Sequence, residues 1–183
     1  MRKLLYAFFL ISTAFVISSW ICAKAHKKGK HKFLVTGSIM QTVGYCGGAR
    51  PTQQILDSCN KPRGIRFAKL FVRSGRVNIE GAPIIKTIDA DEKGNFKVSL
   101  PAGSYCLVEE WKSGPFKLPL NDSRHTVDSA CYRNLYNTCD FELKVTNENI
   151  HNLKITFHRA CFYKQPCISY SGRLPSVAAP RKH

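Results

Sequence analysis

Acidic residues are scarce in this chain: 12 Asp and Glu stand against 28 Lys and Arg among 183 residues, a formal charge of +16. The carboxylates that do gather make poor acid–base partners. Asp89, Asp91 and Glu92 fall in a turn, where acids are ordinary turn formers, while Glu109 and Glu110 are neighbours that a strand points to opposite faces. The chain has no H-E-x-x-H zinc helix, no G-x-S-x-G nucleophile elbow and no G-x-x-x-x-G-K-[ST] phosphate loop. These absences argue against an enzyme of the familiar hydrolytic or phosphate-handling kinds. Also missing is any stripe of Lys and Arg interleaved with aromatic rings, so nucleic acid is not an expected partner. A basic surplus of this size favours an anionic surface or a cell-surface glycan instead, or simply keeps the protein soluble.

One long apolar run is present, residues 4–21, preceded by Arg2 and Lys3 and followed by Ala23-Lys24-Ala25. Charge, apolar core and A-x-A site in that order read as a secretory signal over residues 1–25. A single-span anchor is the alternative, because the run approaches the roughly 20 residues that cross a bilayer. Ser12, Thr13, Ser18 and Ser19 weaken it, and Cys22 lacks the preceding residues that lipid attachment requires. Cleavage after Ala25 would leave 158 residues with 25 Lys and Arg against 12 acids, hence +13. That length suits one domain with a real core. The expectation is an extracytoplasmic protein, periplasmic or secreted, with no stable membrane span after cleavage.

Seven cysteines would then remain: Cys46, Cys59, Cys106, Cys131, Cys139, Cys161 and Cys167. In an oxidising compartment they form at most three bridges and leave one thiol over. A helix over residues 128–137, capped by Asp128, would hold Cys131 and Cys139 roughly 12 Å apart, beyond the roughly 7 Å that a disulfide spans. Each must therefore pair elsewhere. Short loop closures favour Cys161 with Cys167, across Gln165-Pro166, and Cys46 with Cys59, around residues 52–57.

Alternation of apolar and polar residues dominates the rest of the chain. It predicts strands near residues 33–40, 68–73, 84–88, 96–100, 105–110, 141–146 and 153–158. The polar residues 147–150 are short enough to join the last two as a hairpin. Asp91-Glu92-Lys93-Gly94-Asn95 opens the strand at Phe96, and Pro101-Ala102-Gly103 closes it. About seven short strands with little helix argue for an all-β chain, folded as a two-sheet sandwich with a short helix in a loop insertion.

The stretch from Thr87 through Asp91, Gly94, Phe96, Pro101 and Gly103 to Tyr105 resembles the carboxypeptidase regulatory-like or transthyretin-like (prealbumin-like) domains. Their hallmark is a T-x-x-D-x-x-G-x-F strand followed by a P-x-G-x-Y turn and strand. The resemblance covers residues 33–160, between a basic arm at 26–32 and, at 161–183, a Cys-containing loop followed from Tyr170 by a disordered tail. It implies an Ig-like or transthyretin-like sandwich with Phe96 and Tyr105 in the core, and an accessory, adhesive or structural role without catalytic residues. Residues 41–66 and 111–140 and the cysteines depart from the pattern, and fold alone does not fix a ligand.

Two places remain as candidate sites. Tyr45, Gly47, Gly48 and Arg50 form a glycine-bearing loop in which the backbone can approach a partner and Arg50 can clamp an anion; the plainer reading is a disulfide-pinned connector. His158, Cys161 and Cys167 offer three donors suited to copper or zinc, unless oxidation ties up the thiols. The expectation is a non-catalytic module that needs no cofactor and has a structural or partner-binding role, with extracytoplasmic metal binding as the alternative.

Overall fold

The structure, a computed structural model, describes residues 31–119 and 123–172. The expected signal, most of the basic arm and the end of the tail lie outside the described residues. The chain is mostly β. The first sheet is built on β1 (Lys32–Val43), which is antiparallel to β5 (Asn95–Pro101) along its first half and to the two-residue β2 (Arg63–Gly64) near its end. Its other edge is taken by β9 (Ile150–Arg159), which runs parallel to it from Val35 to Val43. The second sheet is antiparallel, in the order β4 (Lys86–Asp89), β3 (Lys69–Ser74), β6 (Gly103–Val108), β8 (Phe141–Val145). A small ribbon pairs β7 (His125–Val127) with β10 (Ile168–Tyr170).

Both four-stranded sheets contribute to one core. Val35 and Ile39 of β1, Phe96, Val98 and Leu100 of β5, and Ile155 of β9 meet Leu70, Val72, Ile88, Tyr105, Leu107, Leu143 and Val145 of the second sheet. The period of two in β5 and β8 is why the apolar member of each pair is inside. The turn before β5 forms as its residues dictate: the Asp91 carboxylate accepts the backbone N–H groups of Lys93 (2.8 Å) and Asn95 (2.7 Å), and Gly94 takes φ of 86°. The Tyr105 hydroxyl donates to the Pro101 carbonyl (2.7 Å), fixing the crossing from β5 to β6. Strand β6 is buried on both faces. Alternation puts Cys106 and Val108, with Arg73 of β3 beside them, on the face away from the core.

On that outer face the short helix α2 (Glu110–Ser113) packs against β3; α3 (Ser129–Asn137) leads to Cys139, which is bonded to Cys106 of β6, and α1 (Gln53–Asn60) sits in the insertion after β1. Helix α3 begins where expected, with the Asp128 side chain accepting the Cys131 N–H at 3.0 Å.

Two expectations need correction. Strands β8 and β9 do not form a hairpin: β8 pairs with β6 and β9 with β1, so residues 146–149 carry the chain from one sheet to the other. The favoured cysteine pairs also change. Cys46 bonds Cys161, Cys106 bonds Cys139 and Cys131 bonds Cys167, which leaves Cys59 as a free thiol. The parallel alignment of β1 and β9 brings Cys46 and Cys161, just past their ends, within 5.5 Å between Cα atoms. The Cys-containing loop after Cys161 carries β10, which pairs with β7, and its Cys167 is tied to α3.

Candidate functional site

Beyond β6 the chain turns at Glu109 into α2, and this turn is organised by a buried charge network. Lys112 is only 1% exposed; its ammonium lies 2.6 Å from the Asp140 carboxylate and donates to the Thr138 carbonyl at 2.9 Å. The second Asp140 oxygen accepts the Glu109 backbone N–H at 2.8 Å. The adjoining Cys106–Cys139 bridge holds the segment bearing Asp140 against β6. Glu109, so placed, takes both guanidinium nitrogens of Arg159 from the end of β9. The hydrogen bond that Arg159 donates to Glu109 is the main reason its pKa is raised, against a smaller opposing effect of burial.

This pair forms the divide between two adjoining clefts. One, of about 420 Å³, is lined by Phe67, Lys69 and Phe157; the other, of about 470 Å³, by Trp111, Tyr132, Phe157 and His158; Glu109 and Arg159 line both. Two of the aromatic rings are presented to solvent. Trp111 is 43% exposed, tilted against Tyr132 with 5.7 Å between ring centroids. Phe67 is 65% exposed and sits at φ of 52°, a left-handed conformation that a bulky residue rarely adopts. Its N–H donates to the Asp91 carbonyl at 3.0 Å, which keeps it there. An exposed aromatic held in a costly conformation is a mark of a functional surface. Burial raises the Tyr132 pKa.

The sequence had passed over Glu109 as one of two strand neighbours. In fact β6 ends at Val108, so Glu109 and Glu110 belong to the entry of α2, and the partner that gives Glu109 its place lies fifty residues on. The readable signal was Glu-Glu-Trp directly after a fully apolar strand. Tyr45, Gly47, Gly48 and Arg50 leave β1 at the same end: Gly44 donates to the Arg159 carbonyl at 2.9 Å, and Cys46 is tied to Cys161. Tyr45 folds over Gly47, where a Cβ would fall 2.2 Å from its hydroxyl, and Arg50 is exposed.

His158, Cys161 and Cys167 are not brought together as metal ligands. Each cysteine is spent in a different disulfide, and the His158 ring is paired instead with the Thr42 hydroxyl at 3.0 Å. Among the described residues no group of three or more His, Cys, Asp or Glu is placed to hold a metal ion. Ser58 and Lys61 have the S-x-x-K spacing, but Ser58 is exposed on the last turn of α1, and the S-D-N and K-T-G companions are absent. No helix of the described residues is long and apolar enough to cross a membrane. No family model matches the chain, and neither curated proteins nor solved structures yield a match.

Proposed function

We propose that this protein is a non-catalytic, extracytoplasmic binding module, built as a transthyretin-like β-sandwich, that holds a cell-surface glycan in the paired clefts on either side of Glu109 and Arg159. The observation that carries the reading is the exposed pair of rings, Phe67 and Trp111, flanking a bidentate carboxylate–guanidinium pair. Aromatic faces stack on the C–H faces of sugar rings, and planar charged groups with fixed geometry exchange hydrogen bonds with hydroxyls. The three disulfides support an oxidising environment for the fold. The behaviour of Asp91, Gly94, Phe96 and Tyr105 supports the sandwich reading, since each does what the resemblance asks of it.

Calorimetric titration with a panel of soluble oligosaccharides tests the assignment. Trp111→Ala and Phe67→Ala should each weaken binding by about tenfold or more while leaving the unfolding midpoint near its original value. Absence of binding across the panel, or binding indifferent to both substitutions, would overturn it.

A further inference from the structure

The loop from β3 to β4 displays four branched aliphatic side chains to solvent: Val77 is 53% exposed, Ile79 59%, Ile84 43% and Ile85 44%. Such residues usually lie inside, and single exposed ones are ordinary, but four in one short loop are not. The backbone that carries them is anchored from below. The Asn78 side chain, 1% exposed, donates to the carbonyls of Tyr136 (2.8 Å) and Lys112 (3.2 Å), and the Asn78 backbone N–H donates to the Asn137 carbonyl at 2.8 Å. Buried Arg73 braces the Ile79 carbonyl and that of Ser113. Glu80 accepts from Arg133 (2.9 Å) and from the Phe116 N–H (3.0 Å), and the Ile85 N–H reaches Val72 at 2.9 Å. With residues 78, 79, 80 and 85 all fastened, the aliphatic display is a fixed feature of the fold.

Charge says what it faces. Arg76 and Lys86 flank the loop, both exposed; Arg76 shares a solvent-exposed ion pair with Glu142 (2.9 Å), and the one acid within the loop, Glu80, is held by Arg133, so Lys86 is the cation left to the loop's edge in a chain with 28 Lys and Arg against 12 acids. Aliphatic side chains edged by a Lys, on a strongly basic protein and with their one carboxylate neutralised, match the boundary between anionic headgroups and acyl chains. We infer that this loop docks the protein on an anionic lipid surface, with Val77, Ile79, Ile84 and Ile85 entering the interface and Lys86 engaging lipid phosphates.

Co-sedimentation of the protein with vesicles tests this. At physiological salt it should pellet with vesicles of phosphatidylcholine and phosphatidylglycerol, and much less with phosphatidylcholine alone. The double substitution Ile79→Asp/Ile84→Asp should lower partitioning by about tenfold or more. Val77→Trp provides a readout that does not depend on how the aspartates are tolerated: its added emission should shift to the blue on the mixed vesicles. Three results would each overturn the inference. One is a parent protein that ignores both vesicles. Another is partitioning unchanged by the aspartates, which would leave only the general basic charge at work. The third is self-association that the aspartates abolish in the absence of lipid, which would give the loop to a second copy of the chain.

Discussion

Removing the bridge between Cys46 and Cys161 is the sharpest test of how this molecule is held together. The two cysteines are 115 residues apart in sequence, and closing a loop of that size costs the unfolded chain about 4.8 kcal/mol of entropy. The Cys106–Cys139 and Cys131–Cys167 bridges shorten the covalent path between them by about a third. Because closure entropy follows the logarithm of length, that trims only about 0.4 kcal/mol. Residual structure in the unfolded chain works in the same direction, so Cys46→Ala/Cys161→Ala should lose between about 2 and 4.5 kcal/mol. Denaturant unfolding of the parent and the double variant measures this, and peptide mapping without reduction identifies the bonded pairs directly. A loss below about 1 kcal/mol, or a Cys46 peptide linked to Cys59, would refute the reasoning.

Phe96→Ala should cost about 3 to 5 kcal/mol, because the ring is buried among residues of both sheets; an unchanged thermal or denaturant midpoint would contradict the packing. Lys112→Met strands the Asp140 carboxylate without its cation and should cost about 3 to 5 kcal/mol, with Asp140→Leu added to it restoring part of the loss in a double-mutant cycle. Asp91 should titrate below the usual 3.8 by NMR, chiefly because the Asn95 N–H bonds its ionised form. A carboxylate with a depressed folded pKa stabilises above its unfolded value and stops doing so as pH falls through the folded one. The stability gap between parent and Asp91→Asn should accordingly shrink on strong acidification, and a gap independent of pH would count against the turn.

Local structure was legible where chemistry acts over a few residues. The alternation in Phe96, Val98 and Leu100 and in Leu143 and Val145 named the inward side chains, and Asp128 announced α3. Neighbour relations were not legible, because a period of two tells which way a side chain points and nothing about which strand lies alongside. So β8 and β9, adjacent in sequence, went to separate sheets, and the cysteine pairing that follows from β1 lying beside β9 stayed hidden. The clefts were hidden for the same reason, as Glu109 and Arg159 acquire a role only through one another.

The pairing of β1 with β9 also sets an order in time. During synthesis β1 and Cys46 emerge early, yet one full edge of that strand has nothing to bond until residues 150–159 exist. Contacts this distant in sequence make for slow closure of the core. Throughout that interval Cys59 is the nearest thiol to Cys46, and the bond between them would be a trap. Reaching the native set therefore calls either for oxidation that waits until the chain is complete or for a catalyst that reshuffles bonds already made.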